Sequence, residues 1–79
     1  MGVMEFDQEL DTRGLLCPIP ILKTKRAMDK LQPGQVLKVV STDPGSVPDM
    51  EAFARQTRNP LRHSRVDGKD YIFFLRKEG

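Results

Sequence analysis

The stretch Gln32-Pro33-Gly34-Gln35-Val36-Leu37-Lys38-Val39-Val40, QPGQVLKVV, decides the fold class of this 79-residue chain. Its first half stops a helix, because proline cannot continue one and glycine readily leaves it. Its second half, residues 36–40, is β-branched and nearly continuously apolar, the pattern of a central strand covered on both faces. A helix that ends in Pro-Gly and runs on into a buried strand is an α/β unit.

Upstream, residues 18–31 repeat at 3.6 per turn. Ile21, Thr24, Ala27, Met28 and Leu31 share one face, and Lys23, Arg26 and Lys30 share the opposite one. Before that helix, a first strand is expected near residues 5–10. Phe6, Gln8 and Leu10 lie on one side of it, with Glu5, Asp7 and Glu9 on the other. Downstream, Asp43-Pro44-Gly45 reads as a loop and Ser46 as the N-cap of a second helix. Pro48 is tolerated in that helix's first turn, and Asp49 and Glu51 suit its positive end. Its inner stripe is Met50, Phe53, Ala54 and Thr57, and Asn59-Pro60 ends it. LRHSRV (61–66) and DYIFFLRK (70–77) then flank Asp67-Gly68, a strong hairpin signal. The order is β-α-β-α-β-β. A right-handed crossover makes the first two strands parallel. The expected fold is α/β: a two-layer α/β sandwich, a four-stranded mixed sheet with two helices on one face, residues 1–79 forming a single domain.

Composition narrows the function. Thirteen basic and eleven acidic residues leave a net charge of +2, too mild to argue nucleic-acid binding. The start is acidic and the end basic, with Arg55, Arg58, Arg62, Arg65, Lys69, Arg76 and Lys77. Tyr71, Phe73 and Phe74 alternate as core and offer no exposed stacking platform, so direct nucleic-acid binding is not expected. No apolar run reaches the ~20 residues of a membrane helix, and no basic-then-apolar leader opens the chain. A cytoplasmic protein, not inserted in a membrane, is expected, as a monomer or a weak dimer through exposed sheet edges. There is one cysteine. Intramolecular disulfides are therefore excluded, and no His/Cys cluster offers a metal site. No cofactor is expected.

That cysteine, Cys17, stands directly before Pro18-Ile19-Pro20. With Cys17 as N-cap, the prolines fall at N1 and N3, where no intrahelical bond is lost and φ is pinned. Ile19 N–H then becomes the natural partner of a Cys17 thiolate. A thiol at a helix N-terminus has its pKa lowered. Arg13 is near enough in sequence to add to this, and Gly14 lets the chain turn sharply into the helix. The expectation is a rigid, presented, activated thiol. The competing reading is a small buried hydrophobe among Leu15, Leu16 and Ile19. A dithiol reductase needs a second cysteine, and a Cys-His hydrolase needs a base that His63, in the hairpin, does not obviously supply. A covalent carrier remains: with no second thiol to expel it, a persulfide can be held on Cys17.

Leu10 to Pro20, LDTRGLLCPIP, resembles the signature of the TusA/SirA sulfur-transfer proteins, in which Leu-Asp and a glycine precede Cys-Pro-x-Pro. Length, element order and Asp43-Pro44 before the second helix are similar too. The resemblance implies a two-layer sandwich whose Cys17 accepts sulfane sulfur from a donor protein and passes it to an acceptor protein. In the family this serves tRNA thiolation, other thiolation routes or sulfur oxidation. Whether to class such a relay as an enzyme, a sulfurtransferase, stays open. Ile19 and Leu22, off the inner helix face, and Lys23, Arg26 and Lys30 are candidates for partner docking. The alternative function is a non-catalytic regulatory or protein-interaction module whose thiol is incidental or senses redox state.

Overall fold

In a computed structural model, which describes residues 5–78, the elements follow the expected order. They are β1 (Gln8–Thr12), α1 (Ile19–Asp29), β2 (Val36–Ser41), α2 (Ser46–Thr57), β3 (Leu61–Asp67) and β4 (Asp70–Arg76). The sheet runs β1-β2-β4-β3. β2 is central, parallel to β1 on one side and antiparallel to β4 on the other. The 36–40 run thus lies where its apolar continuity requires. Strand and helix existence, order and the parallel first pair all agree with the reading above.

Both helices lie on one face. Leu37 and Val39 of β2, Phe73 and Leu75 of β4, Met28 of α1 and Met50, Phe53 and Ala54 of α2 form one buried cluster. The opposite face carries a smaller cluster of Val40, Ile72 and Phe74. Here β2 is covered by side chains of the sheet and the N-terminal segment, with Lys38 Nζ 5.2 Å from the centre of the Phe6 ring. Tyr71 is half-buried, and Phe73 and Phe74 are buried, so the aromatic residues of β4 are core as expected. No helix is long and apolar enough to cross a membrane among the described residues.

Three local expectations are corrected. Phe6 and Leu10 do not share a face: Phe6 stacks 6.2 Å from Phe74 on the helix-free side, while Leu10 packs on the helix-side cluster. The cause is Asp7, whose N–H donates to Val36 O and whose carboxylate accepts Val36 N–H, both at 2.8 Å. This pins the chain before the strand begins at Gln8, so the alternation does not run through it. The strand instead extends to Thr12, whose buried hydroxyl donates to Val40 O at 2.6 Å. Ser46 is not the N-cap. Gly45 takes that place, and the Ser46 hydroxyl donates backwards to Asp43 O at 2.6 Å. Thr57 is exposed, its hydroxyl turned to Phe53 O of its own helix.

At the hairpin, Gly68 adopts φ +63°, the left-handed conformation such a tight turn demands. Arg58 ends α2 in the same region, just before Asn59-Pro60. Among the described residues no buried side-chain nitrogen or oxygen lacks a partner.

Candidate functional site

Parallel pairing brings the C-terminal ends of β1 and β2 to the same edge of the sheet, so the loops that leave them lie side by side. Cys17 belongs to the first loop and the Asp43–Gly45 turn to the second. Three contacts stitch the strand ends and their loops together. Thr12 reaches Val40 O through its hydroxyl, Gly14 N–H donates to Thr42 Oγ1 at 2.9 Å, and Cys17 N–H donates to Asp43 Oδ2 at 2.7 Å. Gly14 sits at φ +82° with open space where a Cβ would stand. Its role is therefore conformational, as its position before the turn implied.

Asp43 organises the second loop with its remaining atoms. Its Oδ1 accepts Gly45 N–H at 3.1 Å, and its carbonyl accepts Ser46 N–H at 2.9 Å. This Asx turn displaces Ser46 from the capping position. α2 follows directly, and Asp49 in its first turn accepts a hydrogen bond from Cys17 Sγ. Cys17 is thus held at its amide by one carboxylate and at its sulfur by another, 26 and 32 residues away.

This geometry corrects the electrostatic expectation. α1 begins at Ile19 with Pro18 at its N-cap, one residue later than the sequence pattern implied, and the Cys17–Pro18 peptide is cis. Ile19 N–H donates to Leu16 O at 2.9 Å and Cys17 N–H to Asp43, so neither donor is free for a thiolate. Pro20 is buried in the first turn, and its carbonyl accepts the Thr24 hydroxyl at 2.7 Å. Arg13 faces elsewhere. Its guanidinium pairs with Asp11 at 3.0 Å and reaches Asp70 at 3.9 Å. The Asp11 contacts raise its own pKa and lower that of Asp11. The Cys17 pKa is consequently raised, not lowered. The hydrogen bond to Asp49 is the largest cause, followed by desolvation and then by the negative charge of Asp49 and of Asp43. Two nearby carboxylates favour the neutral thiol more than one helix end favours the thiolate.

Cys17 is nevertheless exposed, which removes the buried-hydrophobe reading. Around it the chain shows apolar surface: Leu16 is 72% exposed, Ile19 40% and Leu22 52%. Ile19 and Leu22 lie one turn apart on α1. Large apolar side chains are thus left open close in sequence to an exposed thiol. Two basic side chains of α1 and one at its C-cap take a different place. Lys23, Arg26 and Lys30 line a groove of about 470 Å³ with Glu9 and Leu10 of β1, over the edge of the sheet. His63 stacks 6.0 Å from Phe74 on the helix-free face. Among the described residues no group of three or more His, Cys, Asp or Glu side chains is arranged to hold a metal ion.

Asp43 and Asp49 are the site residues that local sequence reading missed. Their crowding at the mouth of the second helix was visible. Only the parallel pairing of β1 with β2 turns them toward the cysteine loop.

Residues 8–77 match the family described as Sulfurtransferase TusA. The chain is 51% identical over 73 residues to the sulfur carrier protein TusA of Allochromatium vinosum, covering 92% of this chain and 96% of that one. It is 44% identical over 70 residues to the putative sulfur carrier protein YrkF of Bacillus subtilis, covering 89% of this chain and 38% of that one. The chain therefore spans little more than a third of that second relative's length. The crystal structure of a SirA-like protein from Desulfitobacterium hafniense superposes with a TM-score of 0.80. It covers 92% of this chain and all of that one at 20% identity, a likeness of fold.

Proposed function

The chain belongs to the TusA sulfurtransferase family, and from that premise we propose that it is a sulfur carrier in which Cys17 accepts sulfane sulfur as a persulfide and relays it to an acceptor protein. The observation that carries this reading is the exposed thiol of the chain's single cysteine, framed by exposed Leu16, Ile19 and Leu22. A carrier must show its sulfur to two partners in turn, and apolar surface beside the thiol gives both a place to dock. With no second cysteine, a loaded persulfide cannot be resolved internally to a disulfide.

In loading, Cys17 Sγ attacks the outer sulfur of a donor persulfide, and the donor leaves as a thiol. Delivery is the reverse exchange with an acceptor. Pro18, at the N-cap, and Pro20, in the first turn, hold the loop at the head of α1. Asp43, through the Cys17 amide, holds it against α2. Gly14 supplies the turn that makes this approach possible. Leu22 extends the apolar docking surface. Lys23, Arg26 and Lys30 offer an acidic partner electrostatic steering, which acts on association rate more than on affinity.

Intact-protein mass spectrometry after incubation with a rhodanese-type persulfide donor tests the reading. Wild type is expected to gain sulfur that a reductant removes, and Cys17→Ser to gain none. If several donors load nothing while iodoacetamide still modifies Cys17, the relay reading fails, and a regulatory or interaction role that Cys17→Ser retains takes its place.

A further inference from the structure

The sulfur of Cys17 has a proton to lose and one side chain already placed to receive it. We propose that Asp49 is a catalytic residue of the sulfur exchange, acting as the base that takes the Cys17 proton as Sγ attacks and returns it to the departing sulfur. This rests on the reading of Cys17 as the sulfur acceptor.

Geometry comes first in naming a general base: the candidate must lie within hydrogen-bond reach of the proton it removes. Asp49 Oδ2 does, accepting directly from Sγ. The first turn of a twelve-residue helix holds Asp49, so the base sits on a rigid element and not on a mobile loop. The second carboxylate at the site, Asp43, is occupied. Its two oxygens accept Cys17 N–H and Gly45 N–H. Asp43 therefore orients the backbone, and among the described residues Asp49 is the one that accepts a hydrogen bond from the reacting atom. The cation nearest in sequence, Arg13, is engaged by Asp11 and Asp70. The Asp49 hydrogen bond, desolvation and the charges of Asp49 and Asp43 raise the thiol pKa further above its ordinary value, so the sulfur reacts either through a small thiolate fraction or by handing its proton to Asp49 during attack.

The exchange balances without an external oxidant or reductant. Cys17–S–H and donor–S–S–H become Cys17–S–S–H and donor–S–H. A bond forms between Sγ and the outer sulfur, and the donor sulfur–sulfur bond breaks. The Sγ proton passes to Asp49 Oδ2 and from there to the donor sulfur as it leaves. The persulfide oxidation level moves from donor to carrier unchanged.

The test is the pH profile of Cys17 reactivity in wild type, Asp49→Asn and Asp49→Glu, read twice: by alkylation with iodoacetamide and by loading from a rhodanese-type persulfide. Wild type is expected to react with a shallow pH dependence between about pH 6 and 8, because the base is always present. Asp49→Asn is expected to react ~10-fold or more slowly near pH 6 and to gain ~10-fold per pH unit, following the thiolate. At alkaline pH it overtakes wild type, because no carboxylate repels the thiolate. Asp49→Glu restores part of the shallow profile. A purely structural role for Asp49 gives no such crossing. If Asp49→Asn is faster than wild type at every pH, Asp49 is only an electrostatic brake and the proposal is overturned. A wild-type rate that itself climbs tenfold per unit through neutral pH overturns it without any variant. Failure of the relay reading is separable: loading then fails in every protein while the alkylation profiles still cross.

Discussion

Asp43 ties the two loops at the thiol end of the sheet, and its removal has a calculable cost. Asp43→Ala deletes the acceptor of Cys17 N–H at 2.7 Å and that of Gly45 N–H at 3.1 Å. A hydrogen bond to a charged group contributes about 1.5–3 kcal/mol when water is excluded. Asp43 is half-buried, so water recovers part of this and about 2 kcal/mol remains for the pair. For a domain of this length each kcal/mol moves the thermal midpoint by about 4–8 °C, giving an expected fall of roughly 8–16 °C. Asp43→Asn keeps one uncharged acceptor and is expected to lose about half as much. Thermal unfolding by circular dichroism measures the global effect, and amide hydrogen exchange at Cys17 measures the local one. In Asp43→Ala the Cys17 amide is expected to exchange as an unprotected loop amide does. A midpoint within about 2 °C of wild type, with the Cys17 amide still protected, would show that some other contact holds the loop.

Gly14→Ala is expected to destabilise by about 1–2 kcal/mol. Its φ of +82° penalises any Cβ although the space there is open, and unchanged urea denaturation would contradict that. Leu22→Asp, at a side chain 52% exposed, is expected to leave the thermal midpoint and iodoacetamide labelling of Cys17 near wild type while slowing persulfide loading from a protein donor. Equal loading rates would remove Leu22 from the docking surface. The raised Cys17 pKa also links stability to pH. A group whose folded pKa exceeds its unfolded value stabilises below the unfolded pKa and loses that contribution as pH rises through the folded one. Urea denaturation at neutral and alkaline pH should therefore show wild type losing stability relative to Cys17→Ser, and parallel losses would argue against the Asp49 contact.

Patterns of period 3.6 and 2 are local, and so are the signals that interrupt them. The 36–40 run, the stop at Pro33-Gly34 and the turn at Asp67-Gly68 were enough for the element order, the central strand and the layer arrangement. Cys17 with Pro18 and Pro20 was likewise legible, because an N-terminal helix signal needs only neighbours in sequence. The first strand was misjudged at Asp7. There the deciding hydrogen bonds come from Val36, 29 residues on, which no local alternation encodes. Ser46 failed as a cap for a shorter-range reason: Asp43, three residues earlier, had already closed the turn.

The direction of the thiol's pKa shift was also reversed by local reasoning. Along the chain Cys17 has a helix end after it and Arg13 before it, and both favour the thiolate. In space, parallel pairing of β1 with β2 carries Asp43 and Asp49 onto its amide and its sulfur, and Asp11 draws Arg13 away. Electrostatic energies fall with distance in space and take no account of distance along the chain. Local sequence was therefore sufficient to place the thiol at the head of α1, while only the tertiary arrangement decided that it is exposed, which charges surround it and that its pKa is raised, not lowered.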